Sequence, residues 1–77
     1  MLRRIKCIKL KEHDISVVLY RIDERSLVLY VFTESRRAKL IKALALENQS
    51  NRDARDFCTR WVHKNYPLRS THEGQRV

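Results

Sequence analysis

The sequence predicts an α+β domain: a small antiparallel sheet, made of a basic first strand and a hairpin, followed by two C-terminal helices packed on one face. Three observations indicate this fold class. Two short segments are dense in β-branched and aromatic residues, and residues after 50 repeat apolar side chains at helical spacing. A length of 77 residues leaves room for only one small domain.

The first strand is predicted in residues 1–11, which hold five Lys and Arg and no acidic residue. Ile5 and Cys7 would lie on one face of an extended segment, whereas Ile8 and Leu10 would lie on the other. This change of parity indicates a β-bulge, or a basic edge strand whose lysines discourage further pairing. A short helix is the alternative for this segment.

The hairpin is predicted in residues 15–22 and 27–33, with the polar residues 23–26 as its turn. Neither segment alternates between apolar and polar side chains, as a strand with one solvated face does. Both faces therefore need cover. We expect the helices to cover one face and a second subunit or a partner protein to cover the other.

The first helix is predicted over residues 34–47, with Thr33 as its N-cap. Leu46 falls among the basic residues and is expected to be exposed. The apolar stripe of this helix consists of Leu40, Ile41, Leu44 and Ala45.

The second helix is predicted to begin after Ser50, because Asp53 follows three residues later as in a capping box. It should end near Tyr66, since Pro67 disfavours helical geometry in the residue before it. Its apolar stripe consists of Ala54, Phe57, Cys58, Trp61 and Val62.

These elements are expected to form one compact domain over residues 1–66, and residues 67–77 are expected to be a mobile polar tail. The core is predicted to be shared between the sheet and both helices. Its expected members are Leu19, Leu29, Val31, Leu40, Ile41, Leu44, Phe57 and Trp61.

Composition restricts the class of protein. The chain has 17 Lys and Arg against 9 Asp and Glu, a net charge of +8, and a hydrophobic fraction of 43% that argues against a wholly disordered basic protein. No apolar run is long enough to cross a membrane, and the basic start lacks the apolar stretch of a signal peptide. Two cysteines are too few for a disulfide scaffold. A cytoplasmic protein is expected, in the host cytoplasm if the protein is viral.

Neither catalysis nor metal binding is predicted. No phosphate-binding glycine loop or nucleophile elbow occurs, and the adjacent base–acid pair of His13 and Asp14 would face opposite sides of a strand. Cys58 and His63 lie five residues apart and would point away from each other on a helix. We therefore expect a non-enzyme without cofactor, metal or small-molecule substrate.

Nucleic acid, DNA or RNA, is the expected partner, because Lys and Arg neutralise backbone phosphates irrespective of sequence. The sequence thus predicts a small basic regulator that is dimeric and binds through backbone contacts. The residues expected to bind are Arg3, Arg4, Lys6, Lys9, Arg36, Arg37, Lys39 and Lys42.

The alternative is a protein–protein interaction module, such as an inhibitor or adaptor of phage or plasmid type. Its apolar hairpin and basic face would bind an acidic protein or a nucleoprotein complex. Tyr20, Tyr30 and Tyr66 are its candidate anchors.

Overall fold

The computed structural model describes residues 2–67 and shows a four-stranded antiparallel sheet followed by one helix. The strands lie in chain order, so that β1 and β4 are the edges and the hairpin strands β2 and β3 lie inside. A single 3-10 turn joins β1 to β2. The elements are β1 (Arg3–Leu10), β2 (Ile15–Arg21), β3 (Ser26–Thr33), β4 (Leu40–Glu47) and α1 (Asn51–Asn65).

The prediction of two helices is wrong, because residues 40–47 form β4 and residues 34–39 form a loop. Leu, Ala, Lys and Glu are strong helix formers, and the apolar residues of this segment also fit helical spacing. The run from Ala43 to Leu46 fits a strand equally well, with small and large side chains on alternate faces. Pairing with β3, for example Leu29 across from Leu44, overrides the local helix propensity.

Thr33 closes the β3–β4 loop and does not cap a helix. Its hydroxyl accepts a hydrogen bond from the Lys39 backbone N–H at 3.0 Å, and its own N–H donates to the Lys39 carbonyl at 2.9 Å. Because residues 40–47 form a strand, two expectations about burial are also wrong. Leu46 is buried in the core, whereas Leu40 and Ile41 are 51% and 52% exposed, because β4 is an edge strand.

The hairpin and the bulge in the first strand are confirmed. Asp23 shapes the turn, since its carboxylate accepts hydrogen bonds from the backbone N–H groups of Arg25 and Ser26 at 2.9 and 2.8 Å. These two bonds lower the pKa of the Asp23 carboxyl.

In β1 the register shifts between Arg4 and Lys6, and Ile5 thereby packs against the core on the helix side.

The second predicted helix is confirmed. The Ser50 hydroxyl accepts a hydrogen bond from the Asp53 N–H at 3.1 Å, and Tyr66 is the C-cap. α1 packs against β1 and β2 with Ala54, Cys58 and Val62 buried. The buried sheet residues of this core are Leu10, Ile15, Val17, Leu19, Leu27, Leu29, Val31 and Leu46, and Leu44, Phe57 and Trp61 are partly buried against it.

The predicted mobile tail lies outside the described residues, apart from Pro67.

Arg21 joins three segments at one end of the sheet. Its Nε donates to Asn51 Oδ1 at 2.6 Å, and one terminal nitrogen donates to the Gln49 carbonyl at 2.6 Å. The other terminal nitrogen donates to the carbonyls of Asp23 and Glu24 at 2.8 and 3.1 Å. One planar guanidinium thus holds the end of β2, the hairpin turn and the start of α1 in place.

Replacing Arg21 with Ala is expected to lower the free energy of unfolding by about 2–3 kcal/mol, because four hydrogen bonds from a charged donor are lost, two of which are partly buried. Arg21→Lys should recover little of the loss, since an ammonium cannot reach all four acceptors. Urea unfolding followed by circular dichroism measures both. Arg25→Ala, in the same turn, is the control and should cost less than about 0.5 kcal/mol. Equal stability of the Arg21→Ala and Arg25→Ala variants would contradict this role for Arg21.

Candidate nucleic-acid interface

One face of the sheet, which we call the open face, has no helix over it within residues 2–67. The shortest Cα dimension, 15 Å, accommodates one sheet and one helix layer. Three rows of directly paired residues cross the open face from β1 to β4, and each row holds one aromatic ring. The rows are Arg4, Tyr20, Val28 and Ala45; Cys7, Val18, Tyr30 and Ala43; and Lys9, Ser16, Phe32 and Leu40.

The three aromatic rings form a continuous diagonal series across the two inner strands. The ring centroids of Tyr20 and Tyr30 lie 5.7 Å apart, as do those of Tyr30 and Phe32. All three side chains are half-buried, whereas Val18 and Val28 are buried, because each valine pairs directly with a tyrosine. The open face therefore presents aromatic surface to its surroundings.

The charges on the open face are mostly basic. Among the residues that the strand register places on this face, Arg4 and Lys9 are the cations and Glu47 is the one carboxylate. Glu47 lies at the end of β4, across from Ser26, and outside the three rows. The rows that carry the rings are thus bordered by positive charge along β1.

A second group of cations lies beyond the end of the open face, in the loop of residues 34–39, which we call the basic loop. It carries Arg36, Arg37 and Lys39, all exposed. The Glu34 N–H donates to the Asp14 carbonyl at 2.9 Å, which ties the loop to the β1–β2 connection. The loop follows directly on Phe32 and Thr33, at the end of the sheet where Lys9 also lies.

The structure divides the eight residues predicted to bind nucleic acid. Arg4 and Lys9 lie on the open face, and Arg36, Arg37 and Lys39 lie in the basic loop at its end. The other three residues face the helix side of the sheet: Arg3 pairs with Arg21, Lys6 with Leu19, and Lys42 with Val31.

The sheet edges are also far apart. β1 and β4 are separated by three strand spacings, roughly 14 Å at about 4.8 Å each. The basic first strand and the basic loop thus meet only at the end of the sheet that holds Lys9. The basic side chains of α1, including Arg60 and Lys64, lie on the opposite layer of the molecule and are exposed there.

The grouping of the three rings was not apparent from the sequence. Tyr20 and Tyr30 are separate candidate anchors in the sequence, and Phe32 is not among the predicted site residues. The signal is the parity of the hairpin, since even-numbered positions of both β2 and β3 share one face. Tyr20, Tyr30 and Phe32 are all at even-numbered positions, so this parity predicts that the three rings lie on the same face.

His13 and Asp14 occupy structural positions. The His13 ring packs edge-on against Tyr66, with centroids 5.3 Å apart, and its Nε2 lies 3.3 Å from the Pro67 carbonyl oxygen. Asp14 has a left-handed backbone with φ of 57° that reverses the chain after the 3-10 turn. These contacts join the β1–β2 connection to the end of α1.

The two cysteines have opposite environments. Cys7 is exposed in the middle row of the open face, whereas Cys58 is buried in the core. Burial raises the pKa of the Cys58 thiol, against the smaller opposing effect of the Lys6 charge. Among residues 2–67, no three His, Cys, Asp or Glu side chains come together as metal ligands.

Comparisons with protein-family models, with curated proteins and with solved structures found no match. Within the described residues no helix has the length and apolar character needed to cross a membrane.

Alkylation by a small thiol reagent under native conditions is expected to modify Cys7 fast and Cys58 only on unfolding, because the Cys58 thiol is buried and its pKa is raised. Peptide mass spectrometry after timed quenching measures both rates. The Cys7→Ser variant is the control and should show no fast modification. Fast labelling at Cys58 in the folded protein would contradict the arrangement of the core.

Proposed function

We propose that this protein is a small, non-catalytic regulator that binds nucleic acid through the open face and the basic loop. The observation that carries the proposal is the open face itself, with one ring in each of its three rows and cations at its border. Aromatic surface next to Lys and Arg is what a nucleic acid needs, since it offers bases to stack and phosphates to neutralise.

The sign and placement of the charge support a polyanionic partner. The chain as a whole carries a net charge of +8. Five of its cations lie on the open face or in the basic loop at its end: Arg4, Lys9, Arg36, Arg37 and Lys39. Each cation that contacts a phosphate releases counterions, so binding weakens steeply with salt.

The affinity for a random-sequence oligonucleotide is expected to fall by orders of magnitude between about 50 and 200 mM salt. Replacing both Arg36 and Arg37 with Gln should weaken binding at low salt. It should also make the slope of log affinity against log salt concentration shallower, by the equivalent of one to two phosphate contacts. Fluorescence anisotropy titrations at several salt concentrations measure both effects.

The control for this experiment is the pair Arg60→Gln and Lys64→Gln on the outer surface of α1, which removes the same charge from the opposite layer. It should leave the salt dependence close to that of the parent. Equal effects of the two pairs would show that net charge alone attracts the ligand. Absence of binding at low salt would contradict the proposal and favour the protein-interaction module, whose apolar contacts respond little to salt.

Self-association forms part of the proposal, and the surface that favours it is the edge of β4, with which no other strand of residues 2–67 pairs. β2 and β3 are inner strands, so the hairpin cannot accept a further strand. β1 carries four basic residues along its edge, whereas β4 carries one, Lys42, and exposes Leu40 and Ile41 beside an irregularity in its register. Two copies could pair β4 with β4 around a two-fold axis and extend the sheet.

Sedimentation of the parent protein at micromolar concentration is expected to show a dimer, and the double variant Leu40→Lys with Ile41→Lys should be monomeric, because charge blocks edge pairing. The matched control is the double variant Leu2→Lys with Ile22→Lys. These two residues lie outside β4 and are 54% and 41% exposed. The control should remain dimeric. A parent protein that stays monomeric would contradict pairing through β4.

A further inference from the structure

We infer that the open face binds single-stranded nucleic acid, with unpaired bases stacking on Tyr20, Tyr30 and Phe32. The inference rests on the proposed function and adds to it the class of nucleic acid and the residues that recognise bases.

The spacing of the rings excludes a duplex as the stacking ligand. Neighbouring ring centroids lie 5.7 Å apart with their planes inclined by 62° and 58°, whereas the bases of a duplex are parallel and about 3.4 Å apart along each strand. In a duplex each base face is also covered by its neighbours. Only a strand whose bases are unpaired and separated can tilt them to follow these rings.

The chemistry of the inner rows does not suit groove reading either. Discrimination of base edges in a groove needs side chains with hydrogen-bond donors and acceptors at matching positions. The β2 and β3 members of the three rows are two valines, the three rings and Ser16. Such a surface provides apolar and aromatic contact with few polar groups, which favours stacking irrespective of base identity.

The cations lie where the backbone of a stacked strand would need them. Arg4 pairs directly with Tyr20, at one end of the diagonal series of rings. Phe32, at the other end, lies in the row of Lys9 and next to the basic loop. A strand that crosses the three rings therefore has positive charge at both ends of its path.

Charge also favours a nucleic acid over a second copy of the chain on the open face. A second copy on this face would place the Arg4 and Lys9 borders of both chains at one interface. The only carboxylate that the register places on the face, Glu47, lies outside the rows and cannot compensate all of them. A polyanion neutralises the same groups instead.

The test compares a short single-stranded oligonucleotide with the duplex of the same sequence by anisotropy at about 50 mM salt. The single strand should bind more tightly. Tyr30→Leu removes a ring and keeps apolar volume, and it should weaken single-strand binding by about 5- to 150-fold, as loss of one stacked base does. Tyr30→Phe keeps the ring and should bind like the parent. Phe32→Leu should weaken binding as Tyr30→Leu does.

A measurement on the parent protein keeps the inference testable if Tyr30→Leu unfolds. Cys7 lies in the middle row, two positions across the sheet from Tyr30, and is exposed. A single strand bound over the rings should slow alkylation of Cys7, and the duplex should not.

The outcomes separate this inference from the proposed function. Equal affinity for single strand and duplex, or equal affinity of the folded Tyr30→Leu and Tyr30→Phe variants, would overturn base stacking and leave phosphate binding intact. Undiminished alkylation of Cys7 with saturating single strand would also overturn it. Absence of binding to either nucleic acid at low salt would overturn the proposed function as well.

Discussion

β3 is apolar on both faces and paired on both edges, and the rest of the fold follows from this constraint. Leu27, Leu29 and Val31 point to the helix side and are 1% exposed or less. The other face of the same strand carries Val28, Tyr30 and Phe32. Within residues 2–67, α1 is the one helix and covers only one of these faces. The uncovered side is left with large rings, which shield the valines between them.

The sequence distinguished strands from helices only where the intrinsic preference of the residues agreed with the spacing of the apolar side chains. The β-branched and aromatic hairpin, the parity change around Ile5 and the capped second helix are all visible in the residues themselves. Residues 40–47 are not, because Leu, Ala and Lys favour a helix and only the unpaired edge of β3 makes them a strand. Long-range pairing of this kind leaves no local signature.

The candidate site was predictable in its charge and unpredictable in its geometry. Composition pointed to cations in the first strand and around position 36, and these residues lie at the surface. Which of them share a surface depends on the bulge between Arg4 and Lys6, because the register on either side of it decides the face of every later side chain. The same applies to the rings, since two tyrosines and Phe32 form one series only when β2 and β3 pair in the observed register.

The basic loop is held before any ligand arrives. Thr33 and Lys39 join its two ends by paired hydrogen bonds, the Ser35 hydroxyl donates to the Arg37 carbonyl at 2.8 Å, and Glu34 is tied to Asp14. A flexible loop loses backbone entropy when it closes on a ligand, and that loss subtracts from affinity. Here the backbone around Arg36 and Arg37 is already ordered in the folded protein, so this entropy is lost during folding and not on binding. Only the two side chains remain to be ordered. Under the proposed function, each phosphate contact of this loop would therefore yield more net affinity than the same arginines would in an unstructured segment.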